Sequence, residues 1–147
     1  ERLRAKSAYN GFKGTAAAVA ALVDERVDAG WVYTTTGVKY SDKLRMLAVA
    51  MDKRHAKFPN VPTFRELGYD FVGGAYRGIA VPNTTPEDIQ MKISKIFAKI
   101  DQDPAYLAEK AALGFVPLSV GYKEIPAFMT SRRVEYLPLA REAGLID

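Results

Sequence analysis

The sequence contains no cysteine. That absence excludes disulfide bridges, thiolate catalysis and cysteine-ligated zinc, and it fits either the cytosol or an oxidising compartment. Histidine is nearly absent too. His55 alone would have to serve any Ser–His–Asp or Cys–His apparatus, and it lies in a basic, polar stretch with no nucleophile motif beside it. A solvated loop histidine is the preferred reading. No HExxH, DxDxDG or histidine-rich cluster occurs, so no metal site is expected. The glycines of 72–78 do not fit GxGxxG and no GKS or GKT follows a glycine loop, which leaves nucleotide binding without support. No apolar run approaches the roughly 20 residues that span a bilayer. No signal peptide is recognisable either, but the chain opens with Glu1, so its true start is expected to have been removed.

What is present is the composition of a folded domain. At 147 residues, with 48% apolar and 26% charged side chains, the chain is long enough for a core and unlike a disordered segment. The net charge of +4 is modest and interspersed, as in Asp52-Lys53-Arg54-His55-Ala56-Lys57. Such a balance argues against nucleic acid as a partner and slightly favours anionic small molecules.

Periodicity predicts alternating elements. Residues 14–25 form an alanine-rich helix with Thr15 as its cap and Val19, Leu22 and Val23 on its apolar face. Residues 26–33 then read as a strand ending in Thr34-Thr35-Thr36-Gly37, and 44–51 as a strand covered on both faces. Residues 60–68 resemble a short helix stopped by Gly68, and 71–82 a further strand. Thr85 caps the next helix with Pro86 at its first position; Ile89, Ile93, Ile96, Phe97 and Ile100 make its apolar stripe. Another helix starts at Asp103-Pro104 and stops at Gly114; 115–120 reads as an edge strand because of Pro117, and 123–143 as a last helix kinked at Pro138. The pattern is that of an α/β fold with a largely parallel sheet.

Two features could carry chemistry. In Phe12-Lys13-Gly14-Thr15 a glycine and a hydroxyl open a helix, whose exposed N–H groups suit a carboxylate; on sequence alone an ordinary capped helix start is the preferred reading. In Tyr76-Arg77-Gly78 an arginine offers a planar fork to a carboxylate while glycines admit close approach. The alternative is an edge arginine in solvent or paired with a structural acid. Asp101 and Asp103 sit between two helices, where capping explains them.

Taken together, these segments resemble the substrate-binding receptors of tripartite tricarboxylate transporters, the Bug family. The family's Tyr-Lys-Gly and Gly-Gln-Val-Asp have counterparts in Phe12-Lys13-Gly14 and Glu25-Arg26-Val27-Asp28. Lys43-Leu44-Arg45-Met46-Leu47-Ala48-Val49 reproduces Lys-Leu-Arg-x-Leu-Ala-Val, and 60–68 carries Val-Pro-Thr-x-x-Glu-x-Gly with Asn60 in place of Asp. Residues 76–86 follow the aromatic-x-Gly-x-x-Ala-Pro-x-Gly-Thr-Pro pattern, with Val81 inserted and Asn83-Thr84-Thr85 replacing Gly-Thr. The likeness runs from about Tyr9 to the end, and the chain is expected to begin where the family's second half begins.

The resemblance implies a partial periplasmic-binding-protein type II fold: residues 1–72 as part of lobe two, and 73–147 as the crossover strand and closing helices of lobe one. It implies a periplasmic receptor, not an enzyme, with no catalytic residues and no cofactor. Its partners would be a small carboxylate, a di- or tricarboxylate or an acidic amino acid, and the membrane permease subunits. Implied ligand groups are Gly14 and Thr15, then Tyr33, Thr34 and Thr35 at the carboxyl end of a strand, then Tyr76 and Arg77 from the other lobe. With part of lobe one missing, the stripe from Ile89 to Ile100 would lack its sheet, and self-association or exchange of the C-terminal segment is expected. The rival readings are the effector-binding domain of a transcription regulator and, behind it, a fragment of an α/β enzyme.

Overall fold

A computed structural model describes residues 8–146. Among these residues five α-helices occur: α1 (Thr15–Val23), α2 (Thr34–Lys39), α3 (Glu87–Ile100), α4 (Pro104–Ala112) and α5 (Ile125–Glu142). No strand forms among them. Of the expected parallel sheet there is one isolated parallel bridge, between Val49 and Thr63. The chain divides into two compact units. One runs through Gly78 and takes in Lys110–Phe115; the other comprises Ile79–Glu109 and the residues from Val116 on.

In the first unit, α1 is capped by Gly14, not Thr15, which is its first helical residue. Its alanines favour the helix, and Val19 and Ala21 are its buried side chains, while Val23 stays exposed. The helix ends in a Schellman motif: the Arg26 N–H donates to the Ala21 carbonyl at 2.8 Å and the Glu25 N–H to that of Leu22 at 3.2 Å. Glu25 therefore stands at the left-handed φ of 56°. Residues 26–33, expected as a strand, are irregular, and the threonine run that should have ended it winds into α2. An apolar run becomes a strand only where another backbone pairs with it, and 26–33 meets none among the described residues. Helix α2 forms against its threonines' modest propensity because Thr36 and Gly37 are buried. A Cβ at Gly37 would lie 2.7 Å from Met46 Sδ and 3.1 Å from Phe58 Cζ, so the helix backbone itself packs there.

Residues 44–51 come closest to the expected strand. The Val49 N–H donates to Pro62 O at 3.0 Å and its carbonyl accepts from Phe64 N–H at 3.1 Å; Ala50 O accepts from Gly73 N–H at 3.1 Å. Though its backbone pairs with the 62–64 segment alone, Val49 is one of the most buried apolar side chains. The segment expected as a short helix at 60–68 is one helical turn with both ends closed. Thr63 Oγ1 accepts from Glu66 N–H at 3.1 Å, and Glu66 Oε2 accepts from Thr63 N–H at 2.7 Å, a reciprocal capping box. Gly68, at φ 86°, ends the turn while Tyr69 N–H bonds back to Phe64 O at 2.9 Å. Trp31 stacks on Phe64 with centroids 5.4 Å apart, and Phe71 meets both rings edge-on. The 71–82 segment forms no strand.

In the second unit, α3 begins one residue later than expected. Pro86 is its N-cap and Thr85 lies outside, its carbonyl accepting from Gln90 Nε2 at 2.7 Å. None of the apolar stripe on α3 is buried. Asp103 caps α4, accepting from Tyr106 N–H at 2.9 Å. Residues 116–120, expected as most of an edge strand, are irregular. Helix α5 runs through Pro138, and the Tyr122 N–H donates to Ser94 Oγ at 3.2 Å, tying the approach to α5 to α3.

Candidate functional site

All seven residues expected to face a ligand fall in the first unit. Tyr33 is the N-cap of α2, extended at φ −73° and ψ 154°, and its carbonyl accepts from both Thr36 and Gly37 N–H. Thr34 and Thr35 open the helix, so their own N–H groups have no intrahelical partner. The Thr34 hydroxyl is directed by a distant part of the chain: it donates to the Gly114 carbonyl at 2.8 Å. That carbonyl belongs to the left-handed residue that ends α4, at φ 83°. The next residue, Phe115, lies beneath the Arg77 guanidinium, whose Cζ is 5.4 Å from the ring centroid.

The corner at Gly114 and Phe115 thus brings two of the expected groups to one place. Gly114 is fixed there for two reasons. Its φ suits glycine, and a Cβ would sit 2.7 Å from Val38 Cγ2 and 3.2 Å from the Thr34 carbonyl. Its N–H donates to Ala111 O at 3.1 Å and that of Phe115 to Lys110 O at 3.0 Å, closing a Schellman motif. No carboxylate pairs with Arg77 among the described residues. The cation lies over the aromatic ring, a contact that uses none of its N–H donors.

The structure does not bring the others into this cluster. Gly14 and Thr15 are exposed at the start of α1, with no hydrogen bond to the other five. Tyr76 is exposed beside Arg77, and Thr35 is half-buried next to Thr34. In the sequence Gly114 reads only as a helix stop and Phe115 only as a strand residue. A glycine followed by an aromatic is too common a pair to signal a site.

Two neighbouring features have other roles. His55 is buried, not solvated: it is 4% exposed, its Nδ1 accepts from Lys57 N–H at 3.1 Å, and its ring lies against Phe58. Glu66 is held below the usual carboxylate range by the Thr63 N–H and, after it, by the Arg54 guanidinium; Arg54 Nε reaches both its oxygens at 2.9 and 3.1 Å. Arg65 is raised by Asp70 first and by Asp52 as well, and it bonds to both. The contacts with Asp52 and Arg54 tie the turn at 63–68 to the loop before it, and that with Asp70 to the residues after it. A depression of about 390 Å³ between Leu44, Met46, Phe58 and Val61 contains none of the seven residues. Among the described residues no cluster of histidine and carboxylate side chains could hold a metal ion, and no helix is long and apolar enough to cross a membrane.

Comparison with known proteins gives the setting. Residues 4–145 match the family described as "Tripartite tricarboxylate transporter family receptor". A "UPF0065 protein in gbd 5'region" of Cupriavidus necator is 29% identical over 103 residues, covering 70% of this chain and 32% of its own length. "Protein BugT" of Bordetella pertussis is 29% identical over 105 residues, covering 71% and 32%. The chain matches about a third of the length of these relatives.

Proposed function

We propose, from the premise that this chain belongs to the tripartite tricarboxylate transporter receptor family, that it is part of an extracytoplasmic solute-binding receptor. In this reading the receptor has a periplasmic-binding-protein fold, captures a small organic acid in the periplasm and delivers it to membrane permease subunits. The acid is a di- or tricarboxylate or an acidic amino acid. Residues 1–72 are assigned to the second lobe of that fold and 73–147 to the crossover and the first lobe. The chain binds and releases; it holds no catalytic residue.

The observation that carries the reading is Arg77. Its guanidinium rests on Phe115 with no carboxylate of the described chain on its edge. An arginine so placed matches a carboxylate in shape and charge. The first-turn N–H groups of α2 at Thr34 and Thr35, and those of α1 at Thr15, are suited to further acidic oxygens. Tyr33 and Tyr76 are assigned as further ligand-facing groups through their phenol hydroxyls, and Gly14 leaves the start of α1 without a side chain.

Calorimetric titration of the complete gene product with citrate, succinate and glutamate tests the proposal. At least one should bind, and Arg77→Ala should weaken that binding by about 2–4 kcal/mol, the range for truncating one partner of a hydrogen-bonded charge pair. Binding that is unchanged in Arg77→Ala removes Arg77 from the site, and no binding of any of the three acids removes the assigned ligand class.

A further inference from the structure

Resting on that reading, we infer that Phe115 is a positioning residue for the carboxylate clamp, and that the corner it forms with Gly114 sets both Arg77 and Thr34. The corner comes from the end of α4, far from either residue in sequence, and it belongs to the compact unit that holds them both. Its backbone is closed by the hydrogen bonds from Gly114 and Phe115 into the last turn of α4. The Gly114 carbonyl takes the Thr34 hydroxyl proton at 2.8 Å. With its proton committed to Gly114, Thr34 Oγ1 is left as a hydrogen-bond acceptor. The Phe115 ring sits against the Arg77 guanidinium at 5.4 Å.

An arginine side chain on irregular backbone has four rotatable bonds, and fixing them on binding costs free energy. Stacking on a half-buried ring removes part of that cost beforehand, because the π face attracts the cation without using its N–H donors. A carboxylate partner would fix the side chain equally well but would occupy the edge that an anionic ligand needs. Phe115 therefore preorganises Arg77 and leaves its fork available. The inference also narrows the ligand. Because the ring contact uses none of the N–H donors, these remain the route to strong recognition, and they select a planar carboxylate able to accept two parallel bonds.

Three variants of the complete gene product decide the matter: Phe115→Leu, Phe115→Tyr and Arg77→Ala. The first readout needs no ligand. In NMR spectra the Arg77 Nε–H resonance should be shifted by the ring in the parent protein, move toward the free-arginine position in Phe115→Leu, and stay shifted in Phe115→Tyr. The second readout is calorimetric titration with citrate, succinate and glutamate. Phe115→Leu should weaken the binding of the acid that is recognised about tenfold, and Phe115→Tyr should restore it. A resonance unmoved in Phe115→Leu overturns the inference. So does undiminished affinity in Phe115→Leu where Arg77→Ala lowers it, and that result leaves the proposed function standing. Failure of the parent protein to bind any of the three acids strikes the proposed function and the clamp with it, whereas the resonance still reports whether Phe115 holds Arg77.

Discussion

Glu25 holds the left-handed conformation that closes α1, at φ 56°, without any help from its side chain. A residue with a Cβ is disfavoured there by roughly 1–2 kcal/mol, and the added freedom of glycine in the unfolded chain returns part of that. Glu25→Gly should therefore stabilise the protein by up to about 1 kcal/mol in urea denaturation. No gain would mean that α1 does not end in this motif. Gly114 shows the converse. Gly114→Ala meets Val38 at 2.7 Å in a conformation hostile to alanine, and it should cost at least about 2 kcal/mol from strain and overpacking together. Gly78→Ala is the control, since a Cβ there meets nothing within 4 Å.

At the scale of elements, the turn from Thr63 to Gly68 is the most closely specified piece of the chain. Thr63→Ala should lose about 1 kcal/mol, the usual worth of an N-cap, and Thr63→Ser should retain most of it. The Glu66 carboxyl is lowered in the folded protein, so its contribution is complete above the ordinary glutamate value of about 4.3. As pH falls below that value the contribution declines, and it is gone once pH passes the lower folded-state value. Acid titration of stability should show this component in the parent protein and lack it in Glu66→Gln. The same turn shows what sequence could reveal. Thr63, Glu66 and Gly68 are local signals, and so are the ends of α1, α3 and α4, which were readable to within a residue or two. The strands expected at 26–33, 44–51, 71–82 and 115–120 were not, because a strand depends on a neighbour that no local pattern supplies. Among the described residues only Val49, bonded to Pro62 and Phe64, and Ala50, bonded to Gly73, make such pairings. Helix α2 was missed for the opposite reason: Thr34-Thr35-Thr36-Gly37 has poor helix propensity, and burial against Met46 and Phe58 overrides it. Arg77 stood out in the sequence by its charge beside an apolar run, whereas Phe115 acquires its role only through a contact made in three dimensions.

At the scale of the whole molecule, the chain leaves much apolar surface uncovered. Trp31, Ile96 and Val134 are 69%, 57% and 70% exposed, and none of the stripe on α3 is buried. Exposed apolar area of this kind favours association, so the 147-residue chain by itself should sediment as more than a monomer at micromolar concentration. A compact monomer in sedimentation velocity would contradict that. Positive net charge adds a second expectation: capture of an acid should weaken with added salt, as exposed charges are screened over about 10 Å at 0.1 M. The central claim is that these residues belong to a receptor whose arginine clamp holds a small organic acid. Native mass spectrometry of the complete gene product, purified from cells without added ligand, tests it most directly. A retained mass that fragments to a small carboxylic acid and is depleted in Arg77→Ala is expected; a retained ligand without a carboxylate, or an acid held equally well by Arg77→Ala, rules the clamp out.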